Sequence, residues 1–208
     1  MSREYSPKEK AVYEAVLMLF LEGADLNNLT VSEITQRAGI GKGTVYEYFS
    51  DKEEMIAKAL FYHISDFCET VYEQINQEKN FYHRMMCLLK TMEQKAGNSC
   101  CIFRLIHTVT GNSSISQKMH DMGSNKENGR MMVDDLFRII ITDEAGEKAL
   151  SKETLVYLTS STLSKVLCYG MIRNNPCHET DFEIEAVREM ICRGIDREVR
   201  EGIKNDGK

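Results

Sequence analysis

Four capping signatures mark helix starts in this chain and restrict its fold class. Each places a serine or threonine three residues before a glutamate, at residues 6–9, 30–33, 50–53 and 180–183. Such a hydroxyl accepts a hydrogen bond from a free amide in the first helical turn, and the glutamate accepts one in return. Apolar residues follow at helical spacing, and the 208 residues include only two prolines. The sequence therefore predicts an all-α protein.

The same signals give approximate bounds for the helices. The first helix carries an apolar stripe from Val12 to Phe20 and ends near Gly23, and the second ends at Gly39. Periodicity and breaks predict further helices over about residues 42–49, 51–75, 81–97, 100–110, 115–122, 126–141 and 151–173, and from about residue 180 onward. We divide the chain into residues 1–50 and residues 51–208, with the boundary inside the helix that starts near residue 51.

The charge of the chain argues against general polyanion binding. It carries 32 acidic and 26 basic side chains, a net charge of −6. Residues 1–60 contain seven basic and ten acidic side chains, a net charge of −3. Any contact with nucleic acid must therefore come from a local patch.

The cysteines and the N-terminal segment indicate the compartment. Seven cysteines are scattered without a CxxC pair, and the opening MSREYSPKEK lacks the apolar core of a signal peptide. No apolar run approaches the roughly 20 residues that span a bilayer. We expect a cytoplasmic protein with reduced thiols and no membrane segment.

The stretch ITQRAGIGKGTVYEYF, residues 34–49, has the form of a helix-turn-helix. Gly39 can adopt the left-handed conformation that ends a helix, and Gly41 removes side-chain bulk where backbone would approach a phosphate. In such motifs the second helix enters the major groove of DNA. Apolar spacing turns Ile34, Ala38, Ile40, Val45 and Phe49 inward, which leaves outward Lys42, Gly43, Thr44, Tyr46, Glu47 and Tyr48.

Four polar side chains in or just after this stretch suit a DNA contact. Lys42 places a positive charge at the start of the second helix, and Thr44 can bond base edges or touch a thymine methyl group. Glu47 can accept a hydrogen bond from a cytosine amino group. Lys52, in the first turn of the next helix, can bind a phosphate together with free backbone amides.

Residues 30–59, TVSEITQRAGIGKGTVYEYFSDKEEMIAKA, resemble the DNA-binding signature of the TetR/AcrR family of bacterial transcriptional regulators. The shared pattern is a threonine-capped helix, an alanine-glycine turn, a glycine-threonine pair, tyrosine, an aromatic-phenylalanine pair, and then lysine and glutamate. The resemblance implies a TetR-like fold of about nine helices, with an N-terminal DNA-binding domain and a C-terminal domain for effector binding and dimerisation. Such a protein needs no catalytic step, cofactor or metal.

The resemblance also implies roles for single residues. Thr30 would cap the first motif helix and meet a phosphate, Tyr46 and Tyr48 match positions that contact backbone or base edges, and Lys52 matches a phosphate-binding lysine. Gly41 departs from the family, where serine or threonine is common. The implied DNA-binding residues are Thr30, Gly41, Lys42, Gly43, Thr44, Tyr46, Glu47, Tyr48 and Lys52.

The last two helices carry apolar stripes that could pack within the chain or against a second copy. Because the family that the chain resembles contains dimeric repressors, we predict a four-helix interface in a homodimer. Its residues would be Leu155, Leu158, Thr162, Val166, Ile184, Val187, Ile191 and Ile195.

The body of the chain offers three further interpretations. Adaptable and aromatic side chains could line an effector pocket or fill the core, the pocket candidates being Met85, Phe103, His107, Met119 and Met132. A DNA-binding thiol or metal sensor could use cysteines of the body, such as the Cys100-Cys101 pair or Cys177 beside His178. Metal sites need three or four convergent ligands and the sequence groups at most two, so we expect no metal. A hydrolase built on Cys101 and His107 would lack an orienting acid, so we expect no enzyme.

Together these features predict a repressor that binds a near-palindromic double-stranded DNA operator as a homodimer. Its recognition helices would meet successive major grooves roughly 34–36 Å apart. An unidentified small-molecule effector in the body would favour a conformation with different spacing and so lower operator affinity.

Overall fold

A computed structural model describes residues 5–95, 108–109, 111–124, 130–146, 148–173 and 183–206. Within these ranges, nine α-helices have defined bounds and no strand occurs. They are α1 (Pro7–Leu21), α2 (Val31–Ala38), α3 (Lys42–Val45), α4 (Lys52–Ile75), α5 (Phe81–Lys95), α6 (Ser113–Ser124), α7 (Val133–Ala145), α8 (Lys152–Arg173) and α9 (Ile184–Asn205). The all-α prediction is confirmed for the described residues.

The chain separates into two compact units. The first comprises Met1–Phe67 with Phe103–Met132, and the second comprises Cys68–Ile102 with Val133–Lys208. Helix α4 supplies residues to both units. The functional boundary at residues 50 and 51 stays a prediction.

In the first unit, α1 packs on α2, and α2 contacts α3. The predicted box starts α1: Glu9 N–H donates to Ser6 Oγ at 3.2 Å, and Ser6 N–H donates to the Glu9 carboxylate at 2.9 Å. At α4 the box is shifted by one residue, because Asp51 accepts the Glu54 N–H at 2.6 Å. The Glu54 carboxylate in turn accepts the Ser50 N–H at 2.6 Å. Both helix starts are thus fixed by local hydrogen bonds.

In the second unit, α9 packs on α8 and α5, and α7 packs on α8. A polar cluster joins three of these helices: Arg188 donates to both carboxylate oxygens of Glu93, at 2.7 and 2.9 Å, and the Tyr169 hydroxyl also donates to Glu93. Arg188 is 7% exposed. Burial opposes the charge of Glu93, but the hydrogen bonds from Tyr169 and Arg188 outweigh it and hold the pKa of Glu93 below its usual value.

Two predicted helix bounds differ clearly from the structure. The box predicted at residues 180–183 lies outside the described residues except for Glu183, which precedes α9 and makes no side-chain capping bond. Helix α7 starts at Val133, later than predicted; before it, Arg130 lies against the Tyr5 and Tyr62 rings and the Met131 carbonyl accepts from Ser65. Helix α3 ends earlier than predicted, at Val45. The helix predicted over residues 100–110 lies mostly outside the described residues.

Helix α8 is long and apolar enough to cross a membrane by length and composition alone. The mean hydropathy of its most apolar window is 1.2, and 33% of that window is buried. A single helix of this kind is weak evidence, since core helices of soluble proteins pass the same test. The helix does not indicate a membrane protein.

Candidate nucleic-acid interface

The interface begins at the start of α2, where Thr30 forms the predicted capping box with Glu33. The Thr30 hydroxyl accepts the Glu33 N–H at 3.2 Å and donates to the Glu33 carboxylate at 2.6 Å. The Thr30 N–H donates to the same carboxylate oxygen at 2.8 Å. These bonds lower the pKa of Glu33, the side-chain bond contributing most. A phosphate approaching Thr30 would therefore have to replace the carboxylate of Glu33.

The turn between α2 and α3 depends on Gly39, which has φ 66° and ψ 28°. The Gly39 N–H donates to the Gln36 carbonyl at 3.3 Å, and the Ile40 N–H donates to the Thr35 carbonyl at 3.0 Å. These bonds close the end of α2 in the manner expected for a left-handed residue there. A side-chain carbon at Gly39 would meet no atom within 4 Å, so only the backbone conformation favours glycine.

Helix α3 is a single turn followed by further turns. Gly41 precedes it and offers no side-chain cap. Beyond Val45 the backbone tightens: the Glu47 N–H donates to the Thr44 carbonyl at 3.1 Å, and the Tyr48 N–H donates to the Val45 carbonyl at 3.0 Å. Gly43 and the tyrosines are weak helix formers, which explains why regular helix stops before the predicted end.

Two buried anchors hold this segment, and its remaining side chains face outward. Val45 is 1% exposed and Phe49 is 2% exposed. Thr44 is half-buried, and Tyr48 is half-buried with the Lys8 ammonium 5.8 Å from its ring centre. The α3 surface is the set of exposed residues Lys42, Gly43, Tyr46 and Glu47 together with half-buried Thr44.

Lys52 has an internal partner that sequence reasoning missed. Its ammonium donates to the Asn27 carbonyl at 2.8 Å and lies 3.8 Å from the Glu53 carboxylate. The Lys52 side chain is 24% exposed. Lys52 thus ties the start of α4 to the α1–α2 connection, and no local pattern signals a contact between residues 25 positions apart.

Other cations near the motif are also paired. Arg37 pairs with Glu22, and Lys58 pairs with Glu54 at 2.7 Å. Lys42, by contrast, makes no ion pair with any described residue. Its charge is therefore the one on the α3 surface that can meet a phosphate without first leaving an internal partner.

Residues 14–60 match the family model for bacterial regulatory proteins of the tetR family. This segment of the chain is similar to the DNA-binding domain of tetR-family regulators. This confirms the resemblance inferred from residues 30–59.

Solved structures support the TetR fold over nearly the whole chain. The fatty acid degradation regulator FadR from Bacillus halodurans has a TM-score of 0.66 at 15% identity, covering 93% of this chain and 97% of that one. FadR from Bacillus subtilis in complex with stearoyl-CoA gives 0.62 at 16% identity, with 90% and 97% coverage. The reduced form of E. coli NemR gives 0.61 at 15% identity, with 91% and 96% coverage. No curated protein matches the sequence.

Two later segments of the first unit contact α4 and the residues that precede α1 and α4. Lys118 of α6 donates to the Asp51 carboxylate, which caps α4, at 3.1 Å. The Arg130 guanidinium lies 5.1 Å from the ring centre of Tyr5 and 5.0 Å from that of Tyr62.

A backbone contact follows directly after Arg130. The Ser65 hydroxyl donates to the Met131 carbonyl at 2.9 Å. Residues 130 and 131 are therefore held against α4 through both side chain and backbone, and sequence spacing gives no hint of either contact.

The predicted effector residues do not form one described site. Met85 is fully buried in α5 of the second unit, whereas Met119 and Met132 belong to the first unit. Phe103 and His107 lie outside the described residues. None of these five residues lines either described groove of the second unit, of about 310 Å³ and about 150 Å³.

The predicted dimer residues fall into two groups. Four are buried within the single chain: Leu158, Thr162, Val166 and Ile195. Four are half-buried: Leu155, Ile184, Val187 and Ile191. The large apolar side chains that α8 and α9 leave exposed are others, namely Val156, Tyr157, Met171 and Met190, which we call the apolar face.

The described cysteines differ sharply in exposure. Burial raises the pKa of Cys68 and of Cys192 to about 12, which keeps both thiols protonated and unreactive. Cys87 is half-buried and Cys168 is exposed. Cys100, Cys101 and Cys177 lie outside the described residues. Among the residues described, no group of three or more side chains could hold a metal ion.

Proposed function

We propose that this protein is a TetR-family cytoplasmic repressor that binds a near-palindromic operator as a homodimer and releases it when an effector binds. The observation that carries the proposal is the α3 surface. Its polar side chains stand outward on a segment anchored by buried Val45 and Phe49, and Lys42, which pairs with no described residue, has no packing role there. Residues 1–50 would bind DNA, and residues 51–208 would bind the effector and dimerise.

Each residue of the interface receives a role from its position. Lys42 would bind a phosphate or a guanine edge, and Thr44 and Glu47 would read bases. The glycines at positions 41 and 43 would allow close approach of the backbone, and Tyr46 and Tyr48 would contact the sugar-phosphate backbone. Thr30 would meet a phosphate in exchange for Glu33.

Lys52 would contribute mainly by positioning. Its bond to the Asn27 carbonyl fixes the first turn of α4 against the α1–α2 connection. Free amides at the start of α4 could then contact a phosphate even while the ammonium is engaged.

The decisive experiment removes the charge of Lys42. We would select bound sequences from random DNA with the native protein, and then compare affinities of Lys42→Ala and Lys79→Ala for the selected operator. Lys79 is also exposed but lies in the second unit, between α4 and α5. Lys42→Ala should lower the affinity roughly tenfold or more, without changing the melting temperature. Equal affinities of the two variants would overturn the proposed interface.

The homodimer is supported by the apolar face of α8 and α9. Val156 is 56% exposed, Tyr157 60%, Met171 45% and Met190 65%. Helix α8 is apolar, yet only a third of its most apolar window is buried in the chain. A second copy would cover this surface, with half-buried Leu155, Ile184, Val187 and Ile191 at its margin.

A charge on the apolar face tests the dimer. Met171→Lys should raise the dimer dissociation constant, whereas Met18→Lys on α1 should leave it unchanged. Both methionines are 45% exposed, so the two variants differ in location and not in exposure. Sedimentation equilibrium measures the constants, and the same constant for both variants would contradict an interface on α8.

Relief by an effector is supported by the contacts that reach the DNA-binding helices. The Lys118–Asp51 pair and the Arg130 contacts with Tyr5 and Tyr62 connect later segments to α4, to its capping residue and to a residue that precedes α1. B. subtilis FadR, of similar fold, forms a complex with stearoyl-CoA. An effector that altered these contacts would change the position of α4, and thereby the operator affinity.

The alternative is a thiol sensor that still binds DNA. Its reactive thiols would be the more accessible Cys168 and Cys87 rather than the buried Cys68 and Cys192. The relevant experiment compares operator affinity before and after treatment with hydrogen peroxide. A loss of affinity that thiol reductant reverses would support the thiol sensor. Unchanged affinity would leave the small-molecule effector.

A further inference from the structure

The smaller groove of the second unit has an unusual chemical lining. It lies between α7 and α8 and has a volume of about 150 Å³. Arg138 and Lys152 supply two cations, Thr159 and Ser160 supply hydroxyl groups, and Leu155 and Val156 supply apolar surface. None of these residues belongs to the α3 surface.

Thr159 is the feature that calls for a ligand. Its side chain is 3% exposed, and its hydroxyl oxygen is buried with no hydrogen-bond partner among the described residues. Helical serines and threonines commonly bond the carbonyl four residues back, as Ser164 does with the Ser160 carbonyl at 2.8 Å. Thr159 in the same helix does not, and a buried unpaired hydroxyl is unfavourable.

The charges around this hydroxyl define what it can bind. Arg138 and Lys152 are exposed and make no ion pair with any described residue. Asp134 also lines the groove and partly offsets them, which leaves a net charge of +1 among the lining residues. An incoming group should therefore carry negative charge and accept hydrogen bonds.

We propose that this groove binds a small organic monoanion, such as a carboxylate. Its oxygens accept hydrogen bonds from Arg138, Lys152 and the Thr159 hydroxyl, and its apolar part packs on Leu155 and Val156. A cavity of roughly 150 Å³ suits a group the size of a benzene ring. The inference does not rest on DNA binding or on the effector proposed above.

A second copy of the chain is the rival occupant, because Val156 also belongs to the apolar face. Contact of a second copy with Val156 alone would give the buried Thr159 hydroxyl no acceptor, and would leave the two exposed cations bonded only to water. A small anion can accept from the Thr159 hydroxyl and pair with both cations at once, and for this reason we favour it. The two occupants predict different effects of the same substitutions.

The test is a fluorine NMR titration of the full-length protein with 4-fluorobenzoate, with 4-fluorobenzamide as the neutral analogue. Native protein should bind the benzoate saturably and the benzamide at least roughly tenfold more weakly. Arg138→Gln and Thr159→Val should each weaken benzoate binding roughly tenfold or more, and Asp134→Asn should strengthen it. Arg193→Gln, which removes an exposed arginine of α9 that pairs with Glu189, should leave it unchanged.

The melting temperature of Thr159→Val without ligand shows whether that variant still folds. Thr159→Val preserves shape and removes a hydroxyl that has no partner among the described residues, so the melting temperature should stay the same or rise. Absence of saturable binding, equal binding of the benzamide, or binding insensitive to Arg138→Gln and Thr159→Val would each overturn the proposal. So would a rise in the dimer dissociation constant of these two variants without benzoate binding, which would assign the groove to the second copy.

Discussion

The helix-turn-helix and the α5–α8–α9 cluster are held by hydrogen bonds that span very different distances along the chain. In the first, the Thr30–Glu33 box and the Gly39 turn use hydrogen bonds between residues at most five positions apart. In the second, Glu93 contacts Tyr169 and Arg188, which lie 76 and 95 positions away. The bonds of the motif can form between neighbours in the chain, whereas the cluster forms only when α5, α8 and α9 have packed together.

The largest expected effect tests the long-range cluster. Glu93→Gln leaves the buried Arg188 guanidinium with only the exposed Glu185 carboxylate, 3.5 Å away, as a countercharge, and should lower the free energy of unfolding by about 3 kcal/mol. Glu189→Gln removes the partner of Arg193 on the same helix, but that pair is exposed, so the change should stay within about 0.5 kcal/mol. Urea unfolding measures both. A similar effect of the two substitutions would remove the distinction between buried and exposed pairs.

A smaller effect tests the local turn. Gly39→Ala places a side chain on a residue with φ 66° and should cost about 1–2 kcal/mol through backbone strain alone. Gly194→Ala, in the interior of α9 with open space around it, should instead stabilise by about 0.5–1 kcal/mol. Thermal unfolding measures whether each substitution raises or lowers the stability. Stabilisation by Gly39→Ala would show that the turn does not need the left-handed conformation.

The cap of α2 should contribute less. Thr30→Val removes the hydroxyl that accepts the Glu33 amide, at an expected cost of about 1 kcal/mol. Thr30→Ser keeps the hydroxyl and should recover most of this stability. Chemical unfolding of the two variants measures the cap, and equal losses would point to the methyl group of Thr30 rather than its hydroxyl.

The end of α9 offers a pH-dependent contact of small size. The Asp206 carboxylate accepts bonds from the Ser151 and Thr154 side chains, which together with the Ser151 amide lower its pKa to about 2. A lowered pKa favours the ionised folded state, so this contribution is complete above the ordinary aspartate pKa of 3.8 and is lost as the pH falls toward 2. The difference in melting temperature between native protein and Asp206→Asn should therefore shrink from about pH 5 to about pH 2.5. A constant difference would contradict this assignment.

The smallest effect on stability belongs to the α3 surface. Glu47 is exposed and makes no ion pair with a described residue, so Glu47→Gln should leave the melting temperature unchanged. The change should alter base preference in a selection from random DNA, because glutamine can donate as well as accept. A uniform loss of affinity across operator variants would refute a reading role for Glu47.

Sequence patterns predicted the helix ends that are fixed by hydrogen bonds between residues close together in the chain. The Ser6 and Thr30 boxes and the Gly39 turn are where the residues predict them. At α4 the capping pair is Asp51 and Glu54 rather than the predicted Ser50 and Glu53, because aspartate caps a helix as well as serine does and the pattern fits both registers.

The orientation of α8 lay beyond sequence reasoning for a related reason. Its apolar residues occupy more than one face, so periodicity could not decide which face the chain itself buries. Packing of α7 and α9 buries Leu158, Thr162 and Val166, and leaves Val156 and Met171 exposed. The pairing of Lys52 with Asn27 was equally invisible, since it depends on the arrangement of α1, α2 and α4.

Because Arg37, Lys52 and Lys58 are paired within the chain, the protein should bind weakly to DNA sites other than its operator. Attraction to DNA of any sequence scales with the number of protein cations that can replace condensed counterions. Of the described cations near the motif, few lack a partner within the chain, and acidic side chains outnumber the basic ones there. Little of the protein should then be retained on the many non-operator sites. Occupancy of the operator would depend on the ratio of specific to non-specific binding more than on absolute affinity, which allows a small number of protein molecules to act.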